Sequence, residues 1–112
     1  MNMKMDVRDS NDIKILAFEG NLDTNTSPDA EARLNELIDN GSHKLLINFG
    51  KLNFISSAGL RVLLATAKKL KGTGGNLQIC ELNSTVQEVF DISGFGTILN
   101  VSKSEEEALS SF

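Results

Sequence analysis

The chain has 112 residues, enough to build the core of one domain and too few for a second domain. Hydrophobic residues make up 40% of it and charged residues 23%, both close to globular averages, which excludes disordered, collagenous and coiled-coil classes. Fifteen acidic residues against eleven basic ones leave a net charge of −4, which argues against a nucleic-acid partner, because phosphate backbones are gripped by Lys and Arg.

Residues 3–7 alternate apolar and charged side chains (Met3, Met5 and Val7 against Lys4 and Asp6), the period of a half-buried strand. After a turn at Ser10-Asn11-Asp12, residues 13–19 are again strand-like, so the two runs are expected to form an antiparallel hairpin. Gly20-Asn21-Leu22-Asp23 and a polar loop over 24–27 follow. Ser27 is placed to cap a helix, Pro28 suits its first position, and Asp29 and Glu31 suit the positive end of its dipole. Ala30, Leu34, Leu37 and Ile38 keep the helical period up to Asn40-Gly41, where a left-handed stop is expected. Residues 45–49 form a nearly continuous apolar run, as in a central strand covered on both sides. Residues 53–57 read as a connecting loop. From Ala58 onward Leu60, Leu63, Leu64, Ala67 and Leu70 mark one helical face, and Lys68, Lys69 and Lys71 lie in the final turns. Residues 77–82 read as a strand, Ser84 with Gln87 as a capping box for a short helix, and residues 97–101 as a last strand. Ser102 with Glu105 opens a final helix that turns Ala108, Leu109 and Phe112 inward. The expected architecture is α/β: a small sandwich with a mixed, mostly parallel five-stranded sheet and about four helices, in a single domain over residues 1–112.

Cys80 is the one cysteine, so no internal disulfide and no multi-cysteine metal site can form, and a reducing, cytoplasmic setting is expected. The start MNMKMDVRDS lacks an apolar core, and no segment approaches the ~20 apolar residues that span a bilayer, so no membrane insertion is expected. The glycines at 72, 74 and 75 end a helix and precede a strand, the reverse of the order used by phosphate-binding loops, and read as a helix stop. Ser56 and Ser57 stand just before the second helix, at the carboxyl end of the central strand. There, free N–H groups favour negative charge and α/β folds place their sites. The single histidine, His43, precedes that strand and should lie at the opposite pole, which makes a Ser-His hydrolase a poor reading. Asp23 follows the second strand and should emerge beside Ser57, either as a turn residue bonding its own backbone or as a carboxylate that orients a hydroxyl. No metal site is expected.

The run Asn53-Phe54-Ile55-Ser56-Ser57-Ala58-Gly59-Leu60-Arg61-Val62-Leu63-Leu64 closely resembles the signature of the STAS domain, and within it that of bacterial anti-sigma factor antagonists. Gly20-Asn21-Leu22-Asp23 resembles the family's glycine-x-leucine-aspartate turn, and the order of strands and helices agrees over nearly the whole chain. Aligned on Gly59-Leu60, the family's phosphorylatable serine falls on Ser57. Ser56 stands where many members carry aspartate, Asp23 matches the conserved loop acid, and Asn48 stands where aspartate is frequent. The resemblance implies a binding switch rather than an enzyme. The unmodified protein would dock on a serine-kinase anti-sigma factor or similar switch kinase through Asp23, Thr24, Ser56, Ser57, Gly59 and Arg61. Phosphorylation of Ser57 would release it, and a serine phosphatase would reset it. ATP and magnesium would belong to the kinase, so the chain itself would need no cofactor. Other readings are a STAS subunit of a transport or signalling complex, and a nucleotide- or anion-binding module. A monomer fits the modest apolar content.

Overall fold

The structure, a computed structural model, describes residues 3–112. A five-stranded sheet has the order β1-β2-β3-β4-β5: β1 (Met3–Ser10), β2 (Ile13–Leu22), β3 (Lys44–Ile55), β4 (Asn76–Cys80) and β5 (Asn100–Ser102). β1 pairs antiparallel with β2, and every other pair is parallel, as the alternation of strands and helices requires. The hairpin closes through Asn11-Asp12, with Asn11 at φ 58°, a left-handed conformation that asparagine tolerates better than most residues. The helices are α1 (Ser27–Asp39), α2 (Ser57–Gly72), α3 (Ser84–Ser93) and α4 (Glu105–Leu109).

Sheet pleating sends alternate residues to two different cores. Leu16, Phe18, Leu45, Ile47, Phe49 and Ile79 face α1, α2 and α3, and the Phe18 and Phe49 rings meet edge to face at 5.5 Å. The opposite face carries a smaller cluster of Ile13, Ile15, Leu46 and Cys80, capped by Ala108, Leu109 and Phe112 of the C-terminal segment. The inward turn expected of those last three residues is what the structure has.

Several expected boundaries move. β2 and β3 run on past Glu19 and Phe49, and the expected loop over residues 53–55 belongs to β3. The buried positions there, Phe49, Leu52 and Ile55, recur every third residue because the β2–β3 register shifts around Phe18 and Gly20, so a period of two cannot reveal them. β4 stops at Cys80 rather than Leu82. β5 starts at Asn100 rather than Thr97, because residues 95–97 coil into a 3-10 turn behind Gly94 at φ 79°. The caps shift as well. Asn83, not Ser84, caps α3, and Ser104, not Ser102, caps α4, with Glu107 reaching back to the Lys103 N–H. Ser27 is the first residue of α1, its hydroxyl bonding the Asp23 carbonyl rather than capping the helix. The helix stop at 72–75 holds: the Gly75 N–H reaches the Leu70 carbonyl, and Gly75 lies so close to the His43 carbonyl that no side chain fits.

Candidate functional site

The last β2–β3 pair, Leu22 with Ile55, brings the Asp23 turn beside the start of α2. Residues 49–55 of β3 extend beyond its last pair with β4, Asn48 with Cys80. With no β4 neighbour there, the Leu52 carbonyl accepts instead from the Asn83 side-chain amide at 2.7 Å. The Ser56 N–H donates to the Leu22 carbonyl at 2.9 Å, which fixes the turn from β3 into α2. Gly59 completes the junction. A Cβ there would stand 2.9 Å from the Leu22 carbonyl oxygen and 2.8 Å from the Ile55 side chain, so α2 approaches the strands at a distance only glycine allows.

The two serines differ in what their hydroxyls do. Ser56 is the N-cap of α2: its backbone is extended, and its oxygen accepts from the Gly59 N–H. Ser57 is the first helical residue and is exposed, while Ser56 is half-buried. With Gly59 bonded to the cap and the Leu60 N–H taken by the Ser56 carbonyl, the Ser57 and Ala58 N–H groups are the open donors of the first turn. Ser57 therefore offers a free hydroxyl at the positive end of a sixteen-residue helix.

Asp23 is spent locally. Its Oδ1 accepts from the Asn25 N–H at 2.9 Å and the Thr26 N–H at 3.1 Å, the turn-aspartate arrangement. Thr24, exposed at the tip of that turn, shares with Arg61 a groove of about 550 Å³ between α1 and α2. Asp23, Thr24, Ser56, Ser57 and Gly59 thus gather at one pole, with Arg61 one helical turn beyond Ser57. His43 is exposed at the other end of β3, whose twelve residues hold the two groups on the order of 30 Å apart.

The groove brings in residues outside the expected set: Pro28 and Glu31 of α1, and Leu64, Ala65 and Lys68 of α2. The available signal was the width of the apolar face of α2. Leu60, Val62, Leu63, Thr66 and Leu70 fill the core, so Leu64 and Ala65 are surplus to one buried stripe. Phe54, 44% exposed at the same rim, was hidden in a segment that reads as polar loop.

Asn48 and Cys80 lie on the sheet face covered by α4. The Asn48 amide donates to Glu105 Oε2 at 2.9 Å, its Oδ1 accepts from the Gly50 N–H at 2.7 Å, and Arg8 reaches the same Glu105 oxygen at 2.7 Å. An aspartate at 48 could not donate and would face a second carboxylate, so the amide follows from its partner. Burial tends to raise the Glu105 pKa, but the hydrogen bonds from Asn48 and Arg8 outweigh it and hold the carboxyl below its ordinary value of 4.5. Burial, then the charges of Glu81 and Glu105, push the Cys80 thiol up to about 12, which leaves it an inert core residue. No helix among the described residues is long and apolar enough to cross a membrane.

Residues 4–108 match the STAS domain family. BtrV of Bordetella bronchiseptica is 39% identical over 112 residues, which covers all of this chain and 95% of the relative. The anti-sigma-B factor antagonist of Bacillus subtilis (strain 168) is 31% identical over 107 residues, 95% of this chain and 96% of the relative. Among solved structures, an anti-sigma factor antagonist from Mycobacterium paratuberculosis superposes with a TM-score of 0.90 at 20% identity, covering 97% of this chain and 92% of that one. The anti-sigma factor antagonist SpoIIAA matches in its unphosphorylated form (TM-score 0.81, 24% identity, 96% and 95% covered) and in its phosphorylated form (0.73, 23%, 96% and 98%). These likenesses show that the fold is shared.

Proposed function

Since the chain belongs to the STAS domain family, among the anti-sigma factor antagonists, we propose that it is a phosphorylation-controlled binding switch with Ser57 as the phosphoacceptor. The whole chain is read as one STAS domain that works in the cytoplasm and catalyses nothing itself. Unmodified, it docks on a serine-kinase anti-sigma factor and frees the sigma factor. The kinase brings ATP and magnesium, and a serine phosphatase reverses the mark.

The observation that supports this reading is the division of labour between the serines: the Ser56 oxygen is engaged as helix cap, and the Ser57 hydroxyl is exposed at the first helical position. A phosphate on Ser57 carries −1.5 to −2 charge and meets open N–H groups and the helix dipole, so the fold tolerates it. The same charge on the rim formed by Asp23, Thr24, Ser56, Gly59 and Arg61 alters the partner contact directly. Release then follows from repulsion at the surface rather than from a change of fold.

Incubation with radiolabelled ATP, Mg²⁺ and host extract, followed by peptide mapping, is expected to place the label on Ser57. Ser57→Ala should take up no label yet still bind the kinase, Ser57→Asp should bind it about tenfold or more weakly, and Ser56→Ala should keep its label. Full labelling of Ser57→Ala would refute the assignment.

A further inference from the structure

The sheet has two edges, and they are not alike. β5 has three residues, short enough to offer little to a neighbouring strand, while β1 has eight and pairs only with β2. In a hairpin closed by a two-residue turn, the flanking pair, here Ser10 and Ile13, exchanges both backbone hydrogen bonds. Counting back along β1, Met3, Met5, Val7 and Asp9 therefore direct their N–H and C=O groups away from β2, to the free edge. On the helix-covered face Met3, Met5 and Val7 are only half-buried at the margin of the core. On the other face Lys4 and Asp6 are exposed and take part in no ion pair among the described residues.

We propose that this edge joins a second copy of the chain, β1 against β1 antiparallel, in the register that sets Met5 opposite Met5 of the other copy. Residues 3–7, Met-Lys-Met-Asp-Val, are complementary to their own reversal. In this register Met3 meets Val7 and Met5 meets Met5, which closes a continuous apolar strip on one face. Lys4 meets Asp6 twice on the other face. The neighbouring registers are worse. With Asp6 opposite Asp6, two carboxylates face each other and Lys4 faces Arg8. With Val7 opposite Val7, Met5 faces Asp9, and the Arg8 that would meet Asp6 is already held by Glu105 at 2.7 Å. The edge charges thus select one pairing of copies instead of preventing all of them. The two-fold axis stands perpendicular to the sheet, so the two Ser57 poles point in opposite directions. The result is a ten-stranded sheet in place of the monomer expected from composition.

The contact is small, so a dissociation constant of roughly 10 µM to 1 mM is expected. Sedimentation velocity on the full chain over that range should show a concentration-dependent dimer. Asp6→Lys sets two cations together at both polar pairs, Lys4→Asp sets two acids together, and each variant alone should weaken dimerisation about tenfold or more. Mixed in equal amounts, the two variants restore complementary pairs and should form a heterodimer at wild-type concentrations. Met5→Pro removes a backbone donor at the free edge and should abolish association while circular dichroism reports an intact fold. A wild-type chain that stays monomeric up to about 1 mM overturns the proposal. So does a dimer indifferent to Asp6→Lys and Met5→Pro, or a variant mixture that fails to associate.

Discussion

Gly59 shows how much of the rim rests on one absent side chain. A methyl group at this position would press on the Leu22 carbonyl oxygen at 2.9 Å and on the Leu22 and Ile55 side chains, none of which is a flexible tip. Gly59→Ala should therefore push the start of α2 off the strands and cost about 1–3 kcal/mol in urea denaturation. It should also impair phosphate uptake at Ser57, because the bond from the Ser56 N–H to the Leu22 carbonyl belongs to the same junction. An unchanged urea midpoint would show that α2 can retreat without strain. The place of Ser56 and Ser57 between an apolar strand and a helix marked both as cap candidates, and the structure gives that role to Ser56; of the two roles the sequence left open for Asp23, the structure has the turn. The groove residues Glu31 and Lys68 were not legible, because each lies on a different helix and only the packing of α1 on α2 brings them together.

Among the elements, α4 is the one held most by polar contacts. Its five residues bury Ala108, and Glu105 joins it to β1 through Arg8 and to β3 through Asn48. Glu105 has a folded pKa below its ordinary 4.5, so its contribution to stability is complete above the ordinary carboxylate range and is lost as the pH falls through the folded value. Glu105→Gln has no such proton to gain. Between about pH 5 and 3 its urea midpoint should fall less steeply than that of the wild type, and equal slopes would mean that the carboxylate is not held by its partners in solution. The strands teach a different lesson. β1 and the first part of β3 were plain from period and apolar content, but the run of β3 through residues 50–55 was concealed by register shifts that no local pattern encodes.

At the scale of the molecule, the sheet separates a large core from a small one, and Cys80 lies in the small one beneath α4. The order of elements, the mixed sheet and the number of helices could be read in advance, because each strand–helix alternation leaves few topologies open. The division into two unequal cores could not be, since it depends on which face each helix covers. One expected consequence is unequal stability. α4 should open on its own, so a thiol reagent should label Cys80 roughly tenfold or more faster than global unfolding measured in urea allows. Labelling at the global rate would mean that α4 comes away only with the rest of the fold. A last consequence belongs to the extension of β2 and β3 beyond the final contact with β4, where Asn83 substitutes for the missing neighbour. The pair forms a promontory, and the hydroxyl that matters stands at its headland. A visiting protein can close around such a tip from several sides and leave the hinterland of the domain open to other traffic.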